Sequence, residues 1–250
     1  YADAATSARR IASWLESAGV ARGDRVAVWA PNMPEYPLLF FGAWLAGVAV
    51  VPIDVRTPVD ALLRLVEVAR PRLLFKSRFL EADLSPAGLP VYTLEDLLVL
   101  VAGARRGPVP FGVGPDDVAE IVFTSGTTGN PKGVLISHGN LLAAADGIAR
   151  LIAIGPADRA LSVLPLSHVL EQTIGLLLPV ARGARITYLT RTNATAIAKT
   201  MRSEGITAMV AVPEALQLFM RRIERQVEER GKQRQWSLGN RIAPHLARPL

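Results

Sequence analysis

The 250-residue sequence contains no cysteine, which excludes a disulfide scaffold, a thiolate metal site and a cysteine nucleophile. A reducing compartment fits this without being required by it. Histidine is scarce, with three residues, and aromatics make up 6%. No fixed-period repeat is visible, which argues against a solenoid. The chain opens on Tyr1-Ala2-Asp3 and an amphipathic pattern, without an initiator methionine or a signal-peptide organisation. The expectation is a chain cut from something longer, residing in the cytoplasm. Long uncharged runs are also rare. The exception, Tyr36 to Ile53, reaches the length of a membrane span, but Pro37, Gly42, Gly47 and Pro52 divide it. It reads as a short helix followed by a buried strand.

Half of the residues are hydrophobic and 20% are charged, a balance that can bury a substantial core. The net charge is +6 and the pI is near 10.1, which on its face suggests an anionic partner. The charge is unevenly placed. Residues 221–250 hold eight arginines and lysines against Glu224, Glu228 and Glu229, a surplus of +5 that leaves +1 for the other 220 residues. The glutamates are interleaved with Arg221, Arg225 and Arg230, with Arg225 and Glu229 at i,i+4 spacing, as on a solvated helix face. That pattern allows at most a weak peripheral membrane contact. Nucleic acid is excluded as a partner, because only Trp236 accompanies the arginines as a stacking platform.

Apolar positions at helical spacing (Ala8, Ile11, Ala12, Leu15, Ala18) precede the apolar run 25–30. A helix around Pro37–Ala46 leads into strand Val48–Ile53, and Val59–Ala69 leads into Arg72–Phe75. Thr93, three residues before Asp96, is expected to cap a short helix. Seven of the thirteen residues 103–115 are Gly or Pro, which marks a linker. Beyond it come strand Val118–Thr124, a helix opened by Ser137 or Asn140, strand Ala160–Leu164, a helical segment from Val169, and strand Arg185–Leu189. Helix Ala194–Ser203, strand Thr207–Val212 and a charged helix from Pro213 to about Arg230 complete the alternation. The fold class is α/β, with two mostly parallel-sheet subdomains carrying helices on both faces. The domain reading is residues 1–108 and 109–250.

The most informative stretch is Ile121-Val-Phe-Thr-Ser-Gly-Thr-Thr-Gly-Asn-Pro-Lys-Gly133. An apolar strand runs into Thr124, Ser125, Thr127 and Thr128, interleaved with Gly126 and Gly129 and followed by Lys132. Glycines let backbone N–H groups approach phosphate oxygens, hydroxyls add uncharged donors, and the lysine supplies a mobile positive charge. A polyphosphate is the natural ligand. No hydroxyl follows Lys132 and position 131 is Pro, so this is not the loop of a P-loop NTPase.

The segment resembles the phosphate-binding loop of the adenylate-forming superfamily of acyl-CoA synthetases, luciferases and peptide-synthetase adenylation domains, at all ten positions from Thr124 to Gly133. Leu164-Pro-Leu-Ser-His-Val-Leu-Glu171 resembles the next superfamily motif in its long-chain fatty acyl-CoA synthetase form. Segments 23–34 and 42–54 are similar to two early motifs read as scaffold. The resemblance implies the N-terminal part of a synthetase's large domain. In such enzymes ATP and a carboxylic acid give acyl-AMP and pyrophosphate with Mg²⁺ offsetting charge, and coenzyme A then takes the acyl group. It places Thr124, Ser125, Gly126, Thr127, Thr128, Gly129 and Lys132 on the ATP phosphates and assigns catalytic roles to Lys132 and His168. No metal-binding residue is assigned and the role of Glu171 stays open. The family's magnesium-glutamate, ribose and lid motifs are absent from the 250 residues, which are therefore expected to be inactive alone. The substrate reading is a long-chain fatty acid; the alternatives are an acyl-AMP or aryl-acid ligase, or a non-catalytic nucleotide-binding module.

Overall fold

The structure is a computed structural model that describes residues 1–105, 112–124, 131–190 and 192–213, with positions 217, 221, 225, 228, 229 and 231 beyond. Five strands run parallel: β1 (Arg25–Trp29), β2 (Ala49–Ile53), β3 (Leu73–Lys76), β4 (Val91–Thr93) and β5 (Val118–Thr124). With the antiparallel β6 (Lys132–Ser137) they form one sheet in the order β4-β3-β1-β2-β5-β6. A second parallel sheet has the order β8-β7-β9, from β7 (Arg159–Ser162), β8 (Arg185–Tyr188) and β9 (Ala208–Met209).

The near-continuous apolar strands follow from burial of the larger sheet on both faces. Val26, Val28, Val50, Leu73 and Phe75 meet Ile11 and Leu15 of α1 (Ala2–Ser17) and Leu39 and Phe40 of α2 (Glu35–Leu45). The alternate residues Ala27, Trp29, Val51, Ile53 and Leu74 meet Leu62 and Val66 of α3 (Val59–Ala69). The uncharged run 36–53 is thus α2, a turn through Gly47 at φ +67°, and β2. Among the described residues no helix is long and apolar enough to cross a membrane.

The remaining helices are α4 (Leu97–Leu100), α5 (His138–Ala149), α6 (Leu178–Ala181) and α7 (Ala194–Ser203). Ser137 and Asn140 both open α5, as a capping box in which each side chain accepts from the other's backbone N–H. Asn193 caps α7 by accepting from the Ala196 N–H. Thr93 precedes a 3₁₀ turn over Leu94–Asp96 but makes no side-chain cap, and Asp96 pairs with Arg78 instead.

The sheets divide elsewhere than at residue 108. Strands β5 and β6 follow the Gly/Pro-rich segment yet extend the first sheet, β5 pairing with β2 at Val50–Glu120, and the second sheet begins with β7. The linker composition marks a long connection, and a connection can return to the sheet it left. Most of the basic end lies outside the described residues.

Candidate functional site

Strands β1, β2, β3 and β5 all point their carboxyl ends to one edge, the edge where parallel α/β sheets bind ligands. Thr124 is the last residue of β5 and Lys132 the first of β6, and the two are directly paired across the strands. Both are exposed. The proposed phosphate loop therefore has its two ends held side by side at this edge; Ser125, Gly126, Thr127, Thr128 and Gly129 lie outside the described residues. Gly133 is required by packing, since a Cβ there would come 2.9 Å from Ile121 Cγ2 and 3.4 Å from the Phe123 ring.

His168 reaches the same edge from the second half of the chain. Its Nε2 lies 3.0 Å from Oδ2 of Asp54, the residue that follows β2. Four residues on from the Val50–Glu120 pairing come Asp54 and Thr124, so the motif residues and the Asp–His pair end two adjacent strands. Asp54 also accepts from Arg56, and that guanidinium is the main reason its carboxyl is held down at about 2.

Asn32, in the connection after β1, is buried and clamps the segment leading to His168. Its Nδ2 donates to Ser162 Oγ (2.9 Å) and to the Leu164 carbonyl (2.7 Å), and its Oδ1 accepts from the Leu166 N–H (2.9 Å). The backbone then turns, the His168 N–H donating to the Pro165 carbonyl and the His168 carbonyl accepting from the N–H groups of Glu171 and Gln172. A π-helix follows over Glu171–Leu177 and runs into α6, a geometry that recurs at functional sites.

Asn32 and Asp54 fall in the two segments read as scaffold. The signal that could have exposed them is a polar residue at or just beyond the carboxyl end of an apolar parallel strand.

Beneath the edge the polar groups are buried. Glu120 of β5 and Glu171 have no exposed surface, and neither carboxyl has a hydrogen-bond partner among the described residues. Burial raises each to about 7, offset in part by Gln172 near Glu120 and by Ser162 and the Val163 backbone near Glu171. Tyr36 is buried too, and its hydroxyl is raised by burial and by the proximity of Glu120. Among the described residues no group of three or more His, Asp or Glu could hold a metal ion.

A separate apolar cavity of about 1190 Å³ lies between α1, α2 and β8, lined by Leu38, Phe41, Trp44, Val180, Ile186 and Tyr188 among others. Thr124, Lys132 and His168 do not line it.

The AMP-binding enzyme family matches residues 1–250, the whole sequence. The chain belongs to the AMP-binding enzyme family. Among other AMP-binding relatives it is 32% identical over 222 residues to the sulfoacetate–CoA ligase of Cupriavidus necator, covering 84% of this chain and 43% of the relative. It is 30% identical over 232 residues to the long-chain-fatty-acid–CoA ligase FadD13 of Mycobacterium tuberculosis, covering 89% and 46%. The chain thus spans less than half the length of these curated relatives. Its fold matches the inhibitor-bound crystal structure of the N-terminal domain of FACL13 from Mycobacterium tuberculosis at a TM-score of 0.79 and 29% identity, over 88% of this chain and 57% of that one.

Proposed function

We propose that this AMP-binding chain carries the ATP-phosphate-binding part of an acid–CoA ligase whose acid is a long-chain fatty acid. The observation that carries the reading is the Thr124–Lys132 pairing at the carboxyl edge, which holds the ends of a glycine- and hydroxyl-rich segment where a polyphosphate would be met by backbone N–H groups and a lysine. A carboxylate oxygen attacks the α-phosphorus of ATP, the bond to the β-phosphate bridging oxygen breaks, and pyrophosphate leaves. The thiol of coenzyme A then attacks the acyl carbonyl of the acyl adenylate and AMP departs. Lys132 and the hydroxyls of Thr124, Ser125, Thr127 and Thr128 stabilise the charge gathering on pyrophosphate.

The relatives support the ligase class more strongly than the acid, since one is named for sulfoacetate and another for long-chain fatty acids. The test is ATP–pyrophosphate exchange by the longest natural protein containing these residues, with palmitate, sulfoacetate and an aryl acid as substrates. Exchange is expected with palmitate and to fall roughly 100-fold in Lys132→Ala, the scale of removing one positioned charge-stabilising donor. The exposed lysine has little packing to lose, so the thermal midpoint should stay within a degree or two. Full exchange without the lysine overturns its phosphate role, and exchange with another acid alone replaces the substrate.

A further inference from the structure

Asp54 and His168 are separated by 114 residues in sequence, and each is held at the carboxyl edge by its own backbone. The Asp54 carbonyl accepts from Trp29 Nε1 (3.1 Å) and from the Thr57 N–H (2.9 Å). The His168 backbone is fixed by the turn from Pro165 and by the Asn32 clamp upstream. The pair is therefore presented ready-made by two loops that need no rearrangement to meet.

The hydrogen in the contact can be assigned. Asp54 Oδ1 accepts from the Arg56 backbone N–H (2.8 Å) and Nε (3.0 Å), and Oδ2 accepts from Arg56 Nη2 (2.7 Å) while lying 3.0 Å from His168 Nε2. A carboxylate gripped in this fork is ionised, in keeping with its depressed value of about 2, and an ionised carboxylate only accepts. The donor must be Nε2–H. In a neutral imidazole this puts the lone pair on Nδ1, on the other side of the ring.

We infer that Asp54 is a positioning residue, holding His168 as the Nε2–H tautomer so that Nδ1 is the ring's acceptor at the edge where Thr124 and Lys132 meet. The inference rests on the proposed function for what Nδ1 serves: an acceptor for a substrate or nucleotide hydrogen next to the phosphate loop. A polar contact this exposed, with the His168 side chain 54% and the Asp54 side chain 18% accessible, adds little to stability. Its contribution is to the direction of the ring, the role a carboxylate plays when it fixes a functional imidazole.

Two measurements test this. The first is the long-range ¹H–¹⁵N spectrum of the histidine rings in the ¹⁵N-labelled chain at pH 8, with His168 assigned by the signals lost in His168→Gln. The expected result is one Nε2–H tautomer with a downfield, hydrogen-bonded ring proton. In Asp54→Asn that proton should move towards free histidine and an Nδ1–H form should appear. A predominant Nδ1–H form in the unsubstituted chain overturns the inference, whatever the variants do.

The second is palmitate-dependent exchange in the longest natural protein containing the sequence. Asp54→Asn is expected to lower kcat about 10-fold, the lower end of the loss on removing a carboxylate that orients a metal-bound histidine, with KM for ATP changed less than about 2-fold. In a His168→Ala background the same substitution should have no further effect. An equal loss with and without the imidazole overturns the coupling. Exchange unaffected by His168→Ala overturns the positioning role in the reaction, while the ligase reading is decided separately by Lys132→Ala.

Discussion

Glu120 makes the edge of the sheet sensitive to pH. Its ordinary value is 4.5 and burial lifts it to about 7. Between those values the folded chain keeps a proton that the unfolded chain has released, so Glu120 lowers stability progressively as pH rises from about 4.5 to 7, and the deficit is complete above 7. Glu171 acts with the same sign over the same window. Asp54 acts oppositely, because a carboxyl held at about 2 contributes stability above 3.8 that is lost as pH falls towards 2. Glu120→Gln keeps the shape and removes the charge. It should raise unfolding free energy by on the order of 2 kcal/mol at pH 8 and change it little at pH 4, read by urea denaturation at both pH values. At this scale the motif residues were legible because their chemistry is local: hydroxyls, glycines and a lysine in one run. Asn32 and Asp54 were not, because the partners that place them in the site stand far away in sequence, Ser162 at 130 positions from Asn32 and His168 at 114 from Asp54, and a residue's type says nothing of such a partner.

Among the elements, α1 and α2 pack closely because Gly42 has no side chain. A Cβ at residue 42 would lie 2.5 Å from Ile11 Cβ and 3.1 Å from the Ala8 carbonyl oxygen, and backbone cannot swing aside. Gly42→Ala should therefore cost about 1–3 kcal/mol through overpacking, measured as a drop in the urea midpoint at unchanged m-value. Elements with a strong internal pattern were legible: α7 and β5 lie where apolar spacing and flanking residues put them. Strand β6 has no such pattern. Lys132–Leu135 are all exposed, Val134 and Leu135 included, so its sequence lacks the in–out alternation of a half-buried strand, and only its pairing with β5 defines it. The π-helix after His168 was legible only as helical. Within it the Glu171 carboxyl folds closely over Gly175, four residues on in the same segment.

For the whole molecule, the α/β class follows from buried parallel strands alternating with helices, and both sheets conform to it. What composition could not show is that β5 returns to the first sheet, since the choice of sheet depends on which edge offers β5 a partner and an apolar face. The two sheets are joined through a shared apolar cluster, in which Leu166 and Leu176 pack with Phe40, Val50 and Phe75, and through the Asn32 bonds. Asn32→Ala leaves the Leu166 N–H, Ser162 Oγ and Leu164 carbonyl without this partner in a buried place. A loss of about 1–3 kcal/mol is expected, measured by urea unfolding. Hydrogen exchange should quicken at the Leu166 amide and across 162–168 before it quickens in β1–β3.

The pairing of Thr124 with Lys132 also bears on the entropy of ligand capture. Seven residues separate them in sequence, and the entropy lost in bringing the ends of such a loop together is already met by the β5–β6 ladder as the chain folds. An anion held between these two ends then does not have to bring them together. Its affinity should depend on how firmly the ladder is zipped, and substitutions that weaken pairing at Val122–Val134, well away from any ligand atom, should weaken binding as well.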